Sequence, residues 1–392
     1  MNNQIHEILF SLIRREVCGG EAPAEIAKGL SPEQLSALYS LSDRHDLAHL
    51  VASALDACGA LPADSEISAK FRKKQMLAVF RHQQMDYELR AICNALEAAK
   101  IAFVHLKGAV LRPYYPQAWM RTSCDLDVLI HEEDLPAAVS ALVNTLDYKE
   151  AERGVHDVSL YSRSGIHIEL HYTLQDEAEA EGVAATQSLL DAVWQHVSPI
   201  SPDAYQHRMT DAFFCYYHVV HMAKHFYNAG CGIRPFLDLW VLEHRAQMEL
   251  DGCLSFCRQS GLERFFHAAR ALAGVWFSGE PADETLLAMQ EYVFTGGVYG
   301  NFENRVLARR RKTGGRLGYV LSRVFVSFDY LCLLYPSLKK HRWLFPAYQV
   351  RRWFRLLFSG GLKKASQEMR TGEAMSDQRI QRTAELFEEL GL

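Results

Sequence analysis

Residues 105–130 read HLKGAVLRPYYPQAWMRTSCDLDVLI, and the rest of the chain takes its place around them. CDLDVLI (124–130) alternates polar and apolar residues, the period of a strand with one buried face. The preceding IAFVHL (101–106) is short, apolar and β-branched at its start, which predicts a buried strand ended by Lys107-Gly108. AVLRPYY then predicts one or two helical turns stopped by Pro116. Downstream, EEDLPAAVSALVNTL predicts a helix, and VHDVSLYS and GIHIELHYT predict two strands around a turn at Ser164-Gly165. Strands and helices interleaved in this order imply a mixed α/β (α+β) sheet with helices packed on it.

Asp125 and Asp127 stand two apart on the expected strand, so their carboxylates share one face of the sheet. By itself a D-x-D pair is more often an exposed strand end whose acids face water. Two adjacent carboxylates on an apolar strand are costly to keep ionised, and a bound divalent cation removes that cost. Glu169 adds a third carboxylate on the strand IHIELHY, with His167 and His171 at the same-face positions on either side. Hard oxygen ligands suit Mg2+ or Mn2+, and three carboxylates from neighbouring strands are what metal-assisted phosphoryl transfer uses. Upstream, Lys107 and Gly108 stand where a backbone amide can approach a phosphate, and Arg121 and Ser123 are placed to clamp a phosphate tail.

Taken together, HLKGAVLRPYYPQAWMRTSCDLDVLI resembles the signature of uncharacterised bacterial nucleotidyltransferases of the DNA polymerase β-like superfamily: Lys-Gly, aromatic-Pro, Arg, then Asp-x-Asp and apolar residues. IELHY (168–172) is similar to their third motif, and RPFLDLWVLEHR (234–245) to a segment that recurs among them. The likeness covers about residues 101–175 and extends more weakly to about 245. It implies a polymerase β-like core that uses Mg2+ (or Mn2+), binds a nucleoside triphosphate, ATP among them, and transfers its nucleotidyl group to a hydroxyl or phosphate acceptor. The catalytic and metal-binding residues would be Asp125, Asp127 and Glu169, and the nucleotide-binding residues Lys107, Gly108, Arg121 and Ser123. One departure stands out: the wider superfamily has Gly-Gly or Gly-Ser at the first motif, whereas Ala109 follows Gly108 here. Either Lys107 supplies the missing phosphate contact, or nucleotide binding departs from the superfamily norm. The competing reading is a catalytically inactive nucleotide- or RNA-binding protein on the same fold.

The core so defined, 101–202, is flanked by an expected helical region at 1–100 and a second one at 203–392. With 392 residues the chain can bury a full core without staples, and 49% hydrophobic with 23% charged residues is ordinary for a globular protein. Nine scattered cysteines suit reduced thiols, so the expected setting is cytoplasmic. Neither a signal peptide nor a transmembrane run of about 18 apolar residues is expected. The net charge of −5 conceals a basic segment, 305–364, with fifteen Lys or Arg against the single acid Asp329. Its interleaved Trp343, Tyr348, Trp353 and Phe354 suit a nucleic acid or an anionic membrane surface, or else a packed layer with a solvated rim.

Three lesser patterns favour structural readings. His218, His221 and His225 fall on one helical face, more consistent with lining a cleft beside Lys224 or packing among aromatics than with holding a metal. His167-x-Glu169-x-His171 lacks the helical spacing of a zinc protease. Arg234 and Asp238 have the i,i+4 spacing of an ion pair within one helix.

Overall fold

The computed structural model describes residues 2–21, 26, 29–154, 156–174, 183–297, 325–326, 328, 331–332, 335–339, 341–358 and 377–392. Most of the basic segment 305–364 therefore lies outside the described residues. The chain forms two compact units, one of Met1–Lys224 and Ile233–Leu287 with Gly391, the other of His225–Gly232 and Ala288–Leu390 with Leu392.

The first unit carries the sheet. Among the described residues, α1 (Asn2–Ile13), extended by a π-helical turn over Arg14–Cys18, α2 (Pro32–Arg44), α3 (Ala48–Ala57) and the long α4 (Glu66–Ala98) lead into it. The start of α2 is set by a capping box, in which the Ser31 hydroxyl accepts from the Gln34 amide and the Gln34 side chain accepts from the Ser31 amide. Seven strands follow: β1 (Phe103–His105), β2 (Asp125–Ile130), β3 (Lys149–Arg153), β4 (Asp157–Tyr161), β5 (His167–His171), β6 (Val197–Pro199) and β7 (Gln206–Met209). Their order across the sheet is β3-β4-β5-β2-β1-β7-β6. β2 runs parallel to β5 and β1 parallel to β7, while the remaining pairs are antiparallel. The short α5 (Lys107–Leu111) joins β1 toward β2, and α6 (Leu135–Leu146) follows β2.

The alternation in β2 divides the sheet chemically. Leu126, Val128 and Ile130 are buried on one face with Val158, Leu160, Ile168 and Leu170, and this layer packs on Met85, Ile92 and Leu96 of α4 and Ala138 and Leu142 of α6. Burying aliphatic side chains of this size contributes about 1.5–3 kcal/mol each, so a one-residue register slip, which would send Asp125 and Asp127 into that layer, is strongly disfavoured. The β4–β5 hairpin turns at Gly165, whose φ of +80° is a conformation glycine adopts without strain. Glu88 of α4 holds this corner, accepting from Tyr148 Oη at 2.5 Å and Ser164 Oγ at 2.7 Å.

Helices α7 (Val183–Asp191), α8 (Asp211–Ala229), α9 (Arg234–His244), α10 (Asp251–Gln259) and α11 (Glu263–Ser278) follow, then α12 (Glu284–Gly296). The mixed α/β core expected from the sequence is present. One correction concerns its far edge: the chain is not wholly helical from Asp203, because β6 and β7 form a hairpin that adds to β1. QHRM carries no apolar alternation; it pairs with β1 through backbone, and the Glu97 carboxylate of α4 anchors its start by accepting from the Tyr205 and Gln206 amides. β3, KEAER, was equally hidden, since every residue in it is exposed.

In the second unit, α13 (Phe345–Phe358) and α14 (Asp377–Leu390) are the main described elements. Leu331, Cys332 and Leu338 form a small core there with Tyr335 and Tyr348 packed on it. Trp343 and Phe354 are exposed.

Candidate active site

The polar face of β2 and β5 carries the site. Their parallel register sets Asp125 beside His167 and Asp127 beside Glu169. Two overlapping groups result, Asp125–His167–Glu169 and Asp127–Glu169–His171, each with ligand atoms within 4.8 Å of one another. The three sequence-expected carboxylates are thus brought together, and the two histidines flanking Glu169 join them.

The charges are unequally compensated. Asp127 is only 3% exposed, and its Oδ1 accepts from Lys107 Nζ at 2.9 Å and from His171 Nε2 at 3.0 Å. Burial alone would raise the Asp127 pKa, but the charge of Lys107 and the hydrogen bond from His171 hold it well below the usual carboxylate range. Burial likewise opposes a charge on His171, yet its hydrogen bonds to Asp127 and to Glu169, whose Oε2 lies 3.3 Å away, push it up to about 9. Asp125 goes the other way: burial, then the neighbouring Asp127, raises its pKa. One carboxylate is neutralised by protein cations and the next retains a demand for positive charge.

Lys107 opens α5 with φ +44°, in the left-handed region. That conformation costs a non-glycine residue about 1–2 kcal/mol, here in a residue whose ammonium reaches into the site. Its pKa is raised: burial opposes this, while Tyr217 and Asp127 favour the charged form. Gly108 follows, and a Cβ there would come within 3.3 Å of the Ser123 side chain, a tight contact that the serine would have to yield by a few tenths of an ångström. Ser123 Oγ donates to the Asp125 carbonyl at 2.9 Å and is contacted by Arg112 Nη2. Lys107, Gly108 and Ser123 thus gather at the edge of the carboxylate cluster.

Arg121 is placed differently. Its Nε donates to Asp238 Oδ1 at 2.7 Å, as does Tyr115 Oη at 2.7 Å, and its Nη1 bonds the Thr122 carbonyl. Asp238 is fully buried on α9. Burial would raise its pKa, but Arg121 and then His218 lower it. The expected Arg234–Asp238 pair within one helix is therefore not formed: Arg234 Nη1 donates to Asp46 Oδ2 at 2.7 Å and to the Thr122 carbonyl at 2.8 Å. Both α9 side chains reach out to the loop 115–123, Asp238 to Arg121 and Tyr115 and Arg234 to the Thr122 carbonyl, partners that an i,i+4 pairing rule cannot register.

Of the histidines on α8, His218 Nε2 bonds the Pro235 carbonyl at 3.0 Å. His221 lines a cavity with Tyr217 and Lys224, beside Glu169 and His171, as the cleft reading expected of it. Sequence reasoning missed the part played by His171 and Tyr217. The signal for His171 was its position two residues after Glu169; Tyr217 gave none.

The donor set fits a divalent cation. Three carboxylates in two overlapping groups are hard ligands, and a bound cation would favour the ionised form of Asp125, which burial first and Asp127 second disfavour.

A mixed sheet carrying D-x-D on one strand, a glutamate on its parallel neighbour and a Lys-Gly turn beside them defines a nucleotidyltransferase core. The chain belongs to the family described as uncharacterised nucleotidyltransferase, whose model matches residues 31–278. That span takes in the sheet, the loop 115–123 and the α9 side chains that anchor it. No curated protein matches the chain. No helix among the described residues is long and apolar enough to cross a membrane.

Proposed function

We propose that this protein is a metal-dependent nucleotidyltransferase, moving a nucleotidyl group from a nucleoside triphosphate such as ATP to a hydroxyl or phosphate acceptor. The observation that carries the reading is the β2–β5 register, which aligns Asp127 with Glu169 and gathers three carboxylates on one face. Asp125, Asp127 and Glu169 would hold Mg2+ or Mn2+, which when bound neutralises charge on the reacting phosphate and the leaving pyrophosphate. Lys107, the Gly108 amide and Ser123 hold the triphosphate, Lys107 exchanging Asp127 for a phosphate oxygen. Arg121 keeps the loop in place through Asp238 rather than gripping phosphate directly.

An acceptor oxygen attacks the α-phosphorus, the bond to the bridging oxygen breaks, and pyrophosphate departs. Glu169 takes the proton from an acceptor hydroxyl, and His171, bonded to both Glu169 and Asp127, keeps the two carboxylates aligned. Most of the acceleration comes from positioning and fixed charge.

Incubation with each α-labelled nucleoside triphosphate, Mg2+ and a cell extract tests this reading. Label should pass to an acceptor in the wild type. Glu169→Gln should lose at least about 100-fold of that rate, the scale of general-base catalysis, while nucleotide affinity stays within about threefold. Equal transfer by Glu169→Gln would remove Glu169 from the chemistry.

A further inference from the structure

Tyr217 is a buried group beside the carboxylates that the proposed transfer does not use. On α8, Tyr217, Val220, His221 and Lys224 have the i, i+3, i+4, i+7 spacing of one helical face, and with Lys107 and Glu169 they line a cavity of about 180 Å3. Tyr217 is only 6% exposed. Burial acts first on its hydroxyl; the charges that act on it next are those of the site, Lys107 and then Asp127, Glu169 and Asp125. The phenol is thus directed at the carboxylate cluster.

A phenol this deeply buried ordinarily has a hydrogen-bond partner, because leaving the bond unmade costs the desolvation of the group. Tyr115, Tyr148 and Tyr292, buried to a similar degree, donate to Asp238, Glu88 and the Phe226 carbonyl. The Tyr217 hydroxyl makes no such bond among the described residues. Its ring lies beside His221, with centroids 6.4 Å apart. A tyrosine hydroxyl keeps its proton at neutral pH and so offers a donor. It shares the cavity with the Lys107 ammonium, which Asp127 holds at 2.9 Å and which a phosphate oxygen can take over. An ammonium and a phenol facing one space present two donors to a single phosphate group, the arrangement that fixed-charge recognition of a polyphosphate requires.

We infer that Tyr217 is a triphosphate-binding residue, its hydroxyl donating to an oxygen of the phosphate group that Lys107 holds. The helix α8 then contributes directly to a nucleotide site otherwise built from the sheet and the segment between β1 and β2. The inference rests on the proposed binding of a nucleoside triphosphate at Lys107, and it adds a residue that neither the D-x-D strand nor the Lys-Gly turn announces.

Tyr217→Phe keeps the ring and removes only the hydroxyl, so two measurements on it test the inference. Urea unfolding of the metal-free variant should have its midpoint at or above that of the wild type, because no hydrogen bond within the protein is lost. Calorimetric titration of ATP, dATP, GTP, CTP and UTP, each with Mg2+, should show binding about tenfold weaker than wild type, the scale of one hydrogen bond to a charged acceptor. That loss should be the same for every nucleotide that the wild type binds. A lower unfolding midpoint would mean that the hydroxyl bonds the protein, and would overturn the inference. Unchanged affinity would overturn it, and so would a loss confined to some of the nucleotides that bind, since Tyr217 would then read the base or the sugar. In each of these cases the wild type still binds nucleotide with Mg2+, and the transferase reading stands. Wild-type protein that binds none of the five removes that reading and the inference with it.

Discussion

Asp125 and Asp127 are two residues apart on one strand, yet their substitution should have opposite effects on stability. Two like charges of equal standing would suggest that removing either leaves the melt near or above wild type. The structure separates them: Asp127 is bonded to Lys107 and His171, while Asp125 is raised by burial and by Asp127 itself. Asp127→Asn leaves the Lys107 ammonium, a quarter exposed, and His171 without the carboxylate they share, so the metal-free protein should lose about 3 kcal/mol, the low end for a broken buried pair. Asp125→Asn removes a repelling charge and should leave stability unchanged or slightly higher. Urea unfolding of the two metal-free variants measures this directly, and equal destabilisation of both would contradict the assignment of Lys107 and His171 to Asp127.

At the scale of elements, the loop between α5 and β2 determines where Asp125 points, and α9 holds that loop. Arg121, Tyr115 and Asp238 form a buried cluster, with Arg234, Asp46 and Thr122 beside it. Asp238→Asn leaves Arg121 buried without a counter-charge and should cost about 3–5 kcal/mol. At roughly 2–4 °C per kcal/mol for a domain of this size, the midpoint should fall by about 10 °C. Replacing both partners, Arg121→Met with Asp238→Leu, should recover most of that loss; a single substitution within about 0.5 kcal/mol of wild type would show that the pair is not coupled. This cluster also marks how far the sequence could be read. β1, β2, β4 and β5 were legible because apolar alternation and the Ser164-Gly165 turn are local signals. β3, β6 and β7 were not, because their residues are mostly polar or exposed and their placement depends on partners far along the chain, such as the Glu97 carboxylate, which accepts from the amides at the start of β7. In the site, the carboxylates were legible from spacing and motif. The partner of Arg121 was not, since 117 residues separate it from Asp238.

For the whole molecule, acid stability follows from histidines buried in neutral form. Burial, with the charges of Arg44 and His6 adding to it, lowers His45 to about 3, and burial lowers His105 to about 4. Each folded pKa is depressed below the unfolded value near 6.5, so as pH falls through 6.5 the unfolded chain takes up protons that the folded chain refuses. Stability is therefore lost between about pH 6.5 and 4, by roughly 1.4 kcal/mol per pH unit for each residue. Folding free energy measured at pH 5 should be about 4 kcal/mol lower than at pH 7 from these two groups, and His105→Gln should remove about half of that slope. A flat profile would mean that both imidazoles reach water. The central claim, that the carboxylates on β2 and β5 bind a nucleoside triphosphate together with a divalent metal, is tested most directly by calorimetric titration of ATP with and without Mg2+, in wild type and in Asp125→Asn. The account predicts binding that requires Mg2+ and falls at least tenfold in Asp125→Asn, a fold whose metal-free stability is intact. Binding of equal strength without Mg2+, or undiminished in Asp125→Asn, would contradict it.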